Sequence, residues 1–119
     1  MVTARDLQQR AETFAIDVIK FCRELPHVPE SRNIQDQLSR SATGIAANYR
    51  ATCRARSRAE FIARLGVVVE EADESHMWLG MIIRLKLRDD TEVNRLYKEA
   101  DELTAIFAAS RRTASRRKG

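Results

Sequence analysis

An apolar stripe returns at spacings of three and four residues along nearly the whole chain, and little in the sequence interrupts it. It first runs through Leu7, Ala11, Phe14, Val18, Phe21 and Leu25, the heptad-like rhythm of a helix with one apolar face. Turn-forming residues are scarce: four glycines and two prolines in 119 residues, with Pro26 and Pro29 sharing one short segment. Such a chain lacks the regular turn punctuation of a β protein. The Ala, Leu, Arg and Glu that fill the remainder are strong helix formers. The length suits one domain, and no internal period marks a repeat array.

The stripe divides into four predicted helices. The first is capped by Thr3, with Asp6 favouring the positive end of its dipole, and Pro26 ends it. A loop leads to about Ser31. The second runs from about Ser31 to Arg56 with the stripe Ile34, Leu38, Ser41, Ile45, Asn48 and Thr52, half of it small or polar. Small residues such as Ala42, Gly44 and Ala46 either let a neighbouring helix approach closely or seat a second subunit, and the first reading is preferred. The third starts at a capping box, Ser57-Arg58-Ala59-Glu60. Its core stripe is Phe61, Leu65, Val68, Ala72, Ser75, Leu79 and Ile83. A loop from Arg88 to Asp90 precedes the fourth, capped by Asp89 or Asp90, with Val93, Leu96, Tyr97, Ala100, Leu103 and Phe107 inward. The pattern stops at Ser110. The expectation is an all-α fold, an antiparallel up-down four-helix bundle with short loops, over residues 1–110. A basic disordered tail, 111–119, follows it.

Beyond His76 the third helix is apolar on all sides. Trp78 lies about 100° off the stripe, and Met77 and Met81 lie nearly opposite it. A helix apolar all round is buried all round, so Met77, Trp78 and Met81 are the predicted oligomer interface. Two polar residues, Asn48 and Glu71, lie on or beside core stripes. They read either as a ligand-binding or catalytic pair or as a hydrogen-bonded layer fixing helix register, joined by Arg64 on the flank of Glu71, the latter being favoured.

Catalytic chemistry finds little support. A di-metal bundle needs two Glu-x-x-His motifs and two more inward carboxylates. Here Glu24-x-x-His27 contains the helix-ending Pro26, and Asp73 of Asp73-x-x-His76 points away from the core. No phosphate-cradling glycine loop is present. No enzyme activity, metal or cofactor is expected. Cys22 and Cys53 read as reduced, packed thiols. The longest apolar run, Met77 to Ile83, is too short to span a bilayer. With no targeting segment visible, a cytoplasmic protein without membrane contact is expected.

The charge pattern is more informative than the net charge of +4. Six arginines face one acid between Arg40 and Arg64, and five basic residues with no acid lie between Arg111 and Lys118. The rest of the chain is acidic. Arginine accounts for 17 of the 21 basic residues, and its planar fork suits phosphate. Arg40, Arg50 and Arg54 share an arc of about 80° opposite the apolar stripe. These three, with Arg56, Arg58, Arg111, Arg112, Arg116, Arg117 and Lys118, are the predicted RNA or DNA contacts. Most aromatics lie on core stripes, so phosphate contacts dominate the expected binding.

The run Gln37 to Arg50, with Ala55 to Phe61, Glu70 to Glu74 and Trp78-Leu79, resembles the bacterial four helix bundle protein family. That family includes proteins encoded in intervening sequences of large-subunit ribosomal RNA genes. It is also similar to the accessory variability proteins of diversity-generating retroelements. The resemblance spans about residues 7–107 and implies a four-helix subunit, a homopentameric barrel and, in the retroelement branch, a basic surface engaging a reverse transcriptase and nucleic acid. Where many members carry Asn-Ile-Ala-Glu-Gly, this chain has Asn48-Tyr49-Arg50-Ala51, which makes the second helix more basic. The alternative expectation is a purely structural or protein-interaction module.

Overall fold

The computed structural model describes residues 1–117. Four helices account for nearly all of them: α1 (Ala4–Cys22), α2 (Pro29–Thr52), α3 (Arg58–Arg84) and α4 (Thr91–Arg116). There is no strand among the described residues.

Local chemistry sets most of the boundaries. The Thr3 hydroxyl accepts from the Asp6 N–H at 3.1 Å, and the Thr3 N–H donates to the Asp6 carboxylate at 2.8 Å, a reciprocal box that satisfies two donors lacking helical partners. Pro29 opens α2 two residues before the predicted start, because its fixed φ suits the first helical position and its missing N–H costs nothing there. The same helix ends at Thr52, short of the predicted Arg56. Arg54 and Ala55 bond back to Ala51 and Thr52, three residues earlier, so the chain tightens and turns toward the next cap. Ser57 Oγ then accepts from the Glu60 N–H at 3.0 Å, while the Glu60 carboxylate accepts from the Arg56 N–H at 2.9 Å. The box therefore closes one residue further back than its sequence signature predicts. Asp90 caps α4 by accepting from the Val93 N–H at 3.0 Å.

The end of α3 has no glycine. Lys86 takes a left-handed conformation, φ 57°, and the Leu87 and Lys86 N–H groups bond to the Ile82 and Ile83 carbonyls. This is a Schellman closure made with a residue that pays a steric cost for it.

The predicted core largely forms, with shifts that follow from helix geometry. Leu65, Val68, Ala72, Ser75, Leu79 and Ile82 are buried on α3. The three-four rhythm reaches Ile82 rather than the predicted Ile83, which flanks the core, and Phe61, although on the rhythm, lies in the first turn of α3 and is also only partly buried. On α2 the buried set runs through Ser41, Ala42, Ile45, Tyr49 and Thr52, so the step after Ile45 is four residues and not the predicted three. Tyr49 thus replaces Asn48 inside and packs on Phe107, with ring centroids 4.8 Å apart. Midway along the core, Ser41 and Ser75 share a hydrogen bond of 2.8 Å.

Cross-helix contacts fix the directions of neighbours. Arg58 meets Ala114, Arg111 meets Ile62, and His76 stacks on Tyr97 at 4.1 Å, so α3 and α4 run in opposite senses. Along the seam between α1 and α4, Arg10 grips Glu99 and Glu102, Arg95 reaches Asp17, and Arg88 reaches Glu24. The three described glycines each lie beneath a side chain of the next helix: Gly44 under Glu71, Gly66 under Arg111, and Gly80 under Tyr97.

The tail is where expectation and structure differ most. The apolar pattern predicts disorder from Arg111, but α4 continues to Arg116. Arg58 Nε donates to the Ala114 carbonyl at 2.9 Å and Arg111 Nε to the Ile62 carbonyl at 3.1 Å. Polar cross-helix bonds therefore hold turns that no apolar stripe marks. Arg117 follows the helix in an extended conformation. Lys118 and Gly119 lie outside the described residues.

Candidate nucleic-acid interface

The sequence places its basic residues in two blocks some fifty positions apart. The bonds between Arg58 and Ala114 and between Arg111 and Ile62 bring those blocks to one end of the molecule. Five arginines and one glutamate lie between Arg50 and Arg64, and four arginines without an acid between Arg111 and Arg117. Arg50, Arg54, Arg56, Arg111, Arg112, Arg116 and Arg117 are exposed, and Arg58 is partly buried. Arg40 is exposed but stands apart, about 15 Å up the helix axis from Arg50.

The one acid in this cluster, Glu60, is committed locally. Its carboxylate accepts from the Arg56 N–H and then from Arg64 at 2.9 Å, and these bonds, the backbone one foremost, hold its pKa below the ordinary carboxylate value. Toward the opposite end, Arg88 lies 4.8 Å over the Phe21 ring and bridges Glu24 and Asp90, and Arg95 bridges Asp17 and Glu92. Among the described residues no ion pair involves Arg50, Arg54, Arg112 or Arg116. The basic end thus carries a field that nearby acids do not neutralise.

Two concavities flank the last turns of α4. One, of about 700 Å³, is lined by Arg58, Phe61, Ala109, Ser110, Thr113, Ala114 and Arg117. The other, of about 300 Å³, is lined by Val69, Ala108, Arg111, Arg112, Ser115 and Arg116. Sequence reasoning misses both, because it places Phe61 in the core and the end of α4 in a disordered tail.

The remaining predicted sites resolve differently. Asn48 and Glu71 converge on Gly44: the Asn48 amide donates to the Gly44 carbonyl at 2.9 Å, and the Glu71 carboxylate covers the Gly44 Cα. Arg64 takes no part, being exposed and paired with Glu60 one turn away. Burial, with Glu74 and Glu70 nearby, pushes the Glu71 pKa up. Met77 and Met81 are 47% and 37% exposed on the outer side of α3. Trp78 is partly buried against the core, and its indole N–H is buried without a partner. Among the described residues no three His, Cys, Asp or Glu side chains gather as a metal site. Cys22 is buried, Cys53 is exposed, and both are free thiols. No helix of the described residues is long and apolar enough to cross a membrane.

The fold and this end of the molecule define an all-helical, four-helix protein with an arginine-rich pole. More particularly, the chain belongs to the 23S rRNA-intervening sequence protein family, whose pattern matches residues 4–109. It is also similar to a crystal structure, at 1.70 Å resolution, of a protein of unknown function from the S23 ribosomal protein family of Bacteroides thetaiotaomicron. The TM-score is 0.80 and the identity 25%, over 87% of this chain and 96% of that one. No curated protein matches the chain.

Proposed function

We propose that this protein is a non-enzymatic, oligomeric up-down bundle that binds RNA or DNA through its arginine pole. In this reading it serves as an accessory to a nucleic-acid enzyme, of which a reverse transcriptase is one kind. The observation that carries the proposal is the joining of two remote basic segments at one end, with Glu60 their only acid and already engaged. A ring of subunits repeats that pole around an axis, so individually weak phosphate contacts add through avidity. Binding is then steeply salt-dependent and weakly sequence-specific.

The test is a titration of structured RNA and duplex DNA across salt, comparing wild type with Arg50→Ala/Arg54→Ala and Arg112→Ala/Arg116→Ala. Arg58 and Arg111 are left intact because they hold α4. Each lost phosphate contact flattens the log–log salt slope by roughly 0.7 to 0.9, and alanine preserves the helices. Unchanged slopes and affinities in both variants would remove the pole as the contact surface. The exposed Met77 and Met81 favour a second reading, in which the chain is a protein-interaction module; absence of nucleic-acid binding at low salt would select it.

A further inference from the structure

We infer that the groove between the start of α3 and the end of α4 receives an unpaired nucleobase, which makes the ligand of the arginine pole single-stranded. This rests on the nucleic-acid reading of that pole and adds the form of the strand and the residue that reads it.

Phe61 carries the inference. The three-four rhythm assigns it to the core, but it is only partly buried: it packs against the core and also lines the groove. An aromatic with an accessible side, lying among arginines, is a stacking platform for any base, since every base has a π face. The polar groups suit the rest of a nucleotide. Ser110 and Thr113 bring hydroxyls to the groove, and Arg58 and Arg117 line it with positive charge. The volume of about 700 Å³ lies within the roughly 300–1,000 Å³ span of small-ligand sites. The walls are held in place, because Arg58 bonds across to the Ala114 carbonyl at 2.9 Å. On the other side of the same helix end, Arg112 and Arg116 line the second concavity, so a backbone crossing α4 meets cations on both sides of the base pocket. Bases within a duplex are stacked and paired and do not reach such a pocket, whereas a single strand offers them at no unpairing cost.

The experiment uses the full chain with three probes: a short oligouridylate, the same strand carrying iodouridine for photocrosslinking, and an RNA duplex of equal length. Phe61→Leu keeps an apolar side chain of similar reach and removes the π face. The expected result is a loss of about five- to tenfold in affinity for the single strand. Duplex affinity and both salt slopes stay unchanged, and the iodouridine crosslink in wild type maps to Phe61. Equal weakening toward strand and duplex, no weakening of either, or a crosslink confined to residues outside the groove overturns the inference. A thermal melt checks that Phe61→Leu folds; if it does not, the crosslink position decides alone. Wild type that binds duplex as tightly as single strand, with salt slopes flattened by the arginine variants, defeats the base pocket and leaves the nucleic-acid reading intact. Wild type that binds neither defeats both.

Discussion

Glu71 lies with its carboxylate against the backbone of Gly44, close to Glu70 and Glu74, and burial and these neighbours push its pKa up. Its ionised form is the one the fold disfavours, so the penalty is present at neutral pH and is relieved as the pH falls through the raised native value. Glu71→Gln removes the charge and keeps the shape. Urea melts at neutral pH should show the variant more stable than wild type, with the difference shrinking as the pH approaches the ordinary glutamate value of 4.5. The helix-capping acids Asp6, Glu60 and Asp90 shift the other way, held low by backbone N–H donors. The stability they confer is whole above their unfolded values and drains as the pH drops through the depressed native ones. They are common to both proteins and cancel from the comparison. A variant equally stable or less stable at neutral pH would mean that the Glu71 carboxylate contributes something Gln cannot replace. The sequence marks Glu71 and Asn48 as polar residues near the core, but not that Gly44 is what they share.

At the scale of elements, the caps Thr3, Ser57 and Asp90 are legible from local sequence, because each uses a side chain to satisfy backbone donors within three residues. The closure of α3 is not legible, because Lys86 is an ordinary residue forced into a left-handed turn by the need to redirect the chain. Lys86→Gly relieves that steric cost, and its stability gain should be about 0.5–1 kcal/mol after the glycine's own unfolded-state entropy is counted. Thermal melts decide this; a lower melting temperature would show that the Lys86 side chain supplies more than its conformation costs. The last turns of α4 make the same point from the other side. Their apolar pattern ends at Ser110, yet Arg58 and Arg111 bond to carbonyls on the partnering helix and carry the helix on to Arg116.

For the whole molecule, the long axis of 52 Å against 24 and 20 Å gives a rod with the two arginine blocks, around Arg58 and from Arg111 to Arg117, at one end. The rod leaves Met77 and Met81 exposed on α3, and in the proposed assembly a neighbouring subunit covers them. Light scattering at micromolar concentration should therefore return several times the chain mass of 13.6 kDa. Met77→Glu/Met81→Glu should lower that mass while leaving helicity intact, because neither side chain is in the core. A wild-type mass of one chain would dismiss the assembly. Trp78→Glu is a poorer probe, since Trp78 also packs on the core and its loss lowers the stability of the single chain.

Helix content, the four-element order and most of the buried stripe follow from the sequence alone, because apolar period, capping chemistry and proline position act over a few residues at a time. The tertiary structure decided what depends on residues far apart. It placed Tyr49 rather than Asn48 inside against Phe107, paired Arg64 with Glu60 instead of Glu71, and left Phe61 half-covered at a groove. It also joined two basic blocks into one pole through bonds from Arg58 and Arg111 to carbonyls about fifty residues away. No local pattern encodes such a bond, since any carbonyl can accept it and only the packing of α3 against α4 determines which one is within reach.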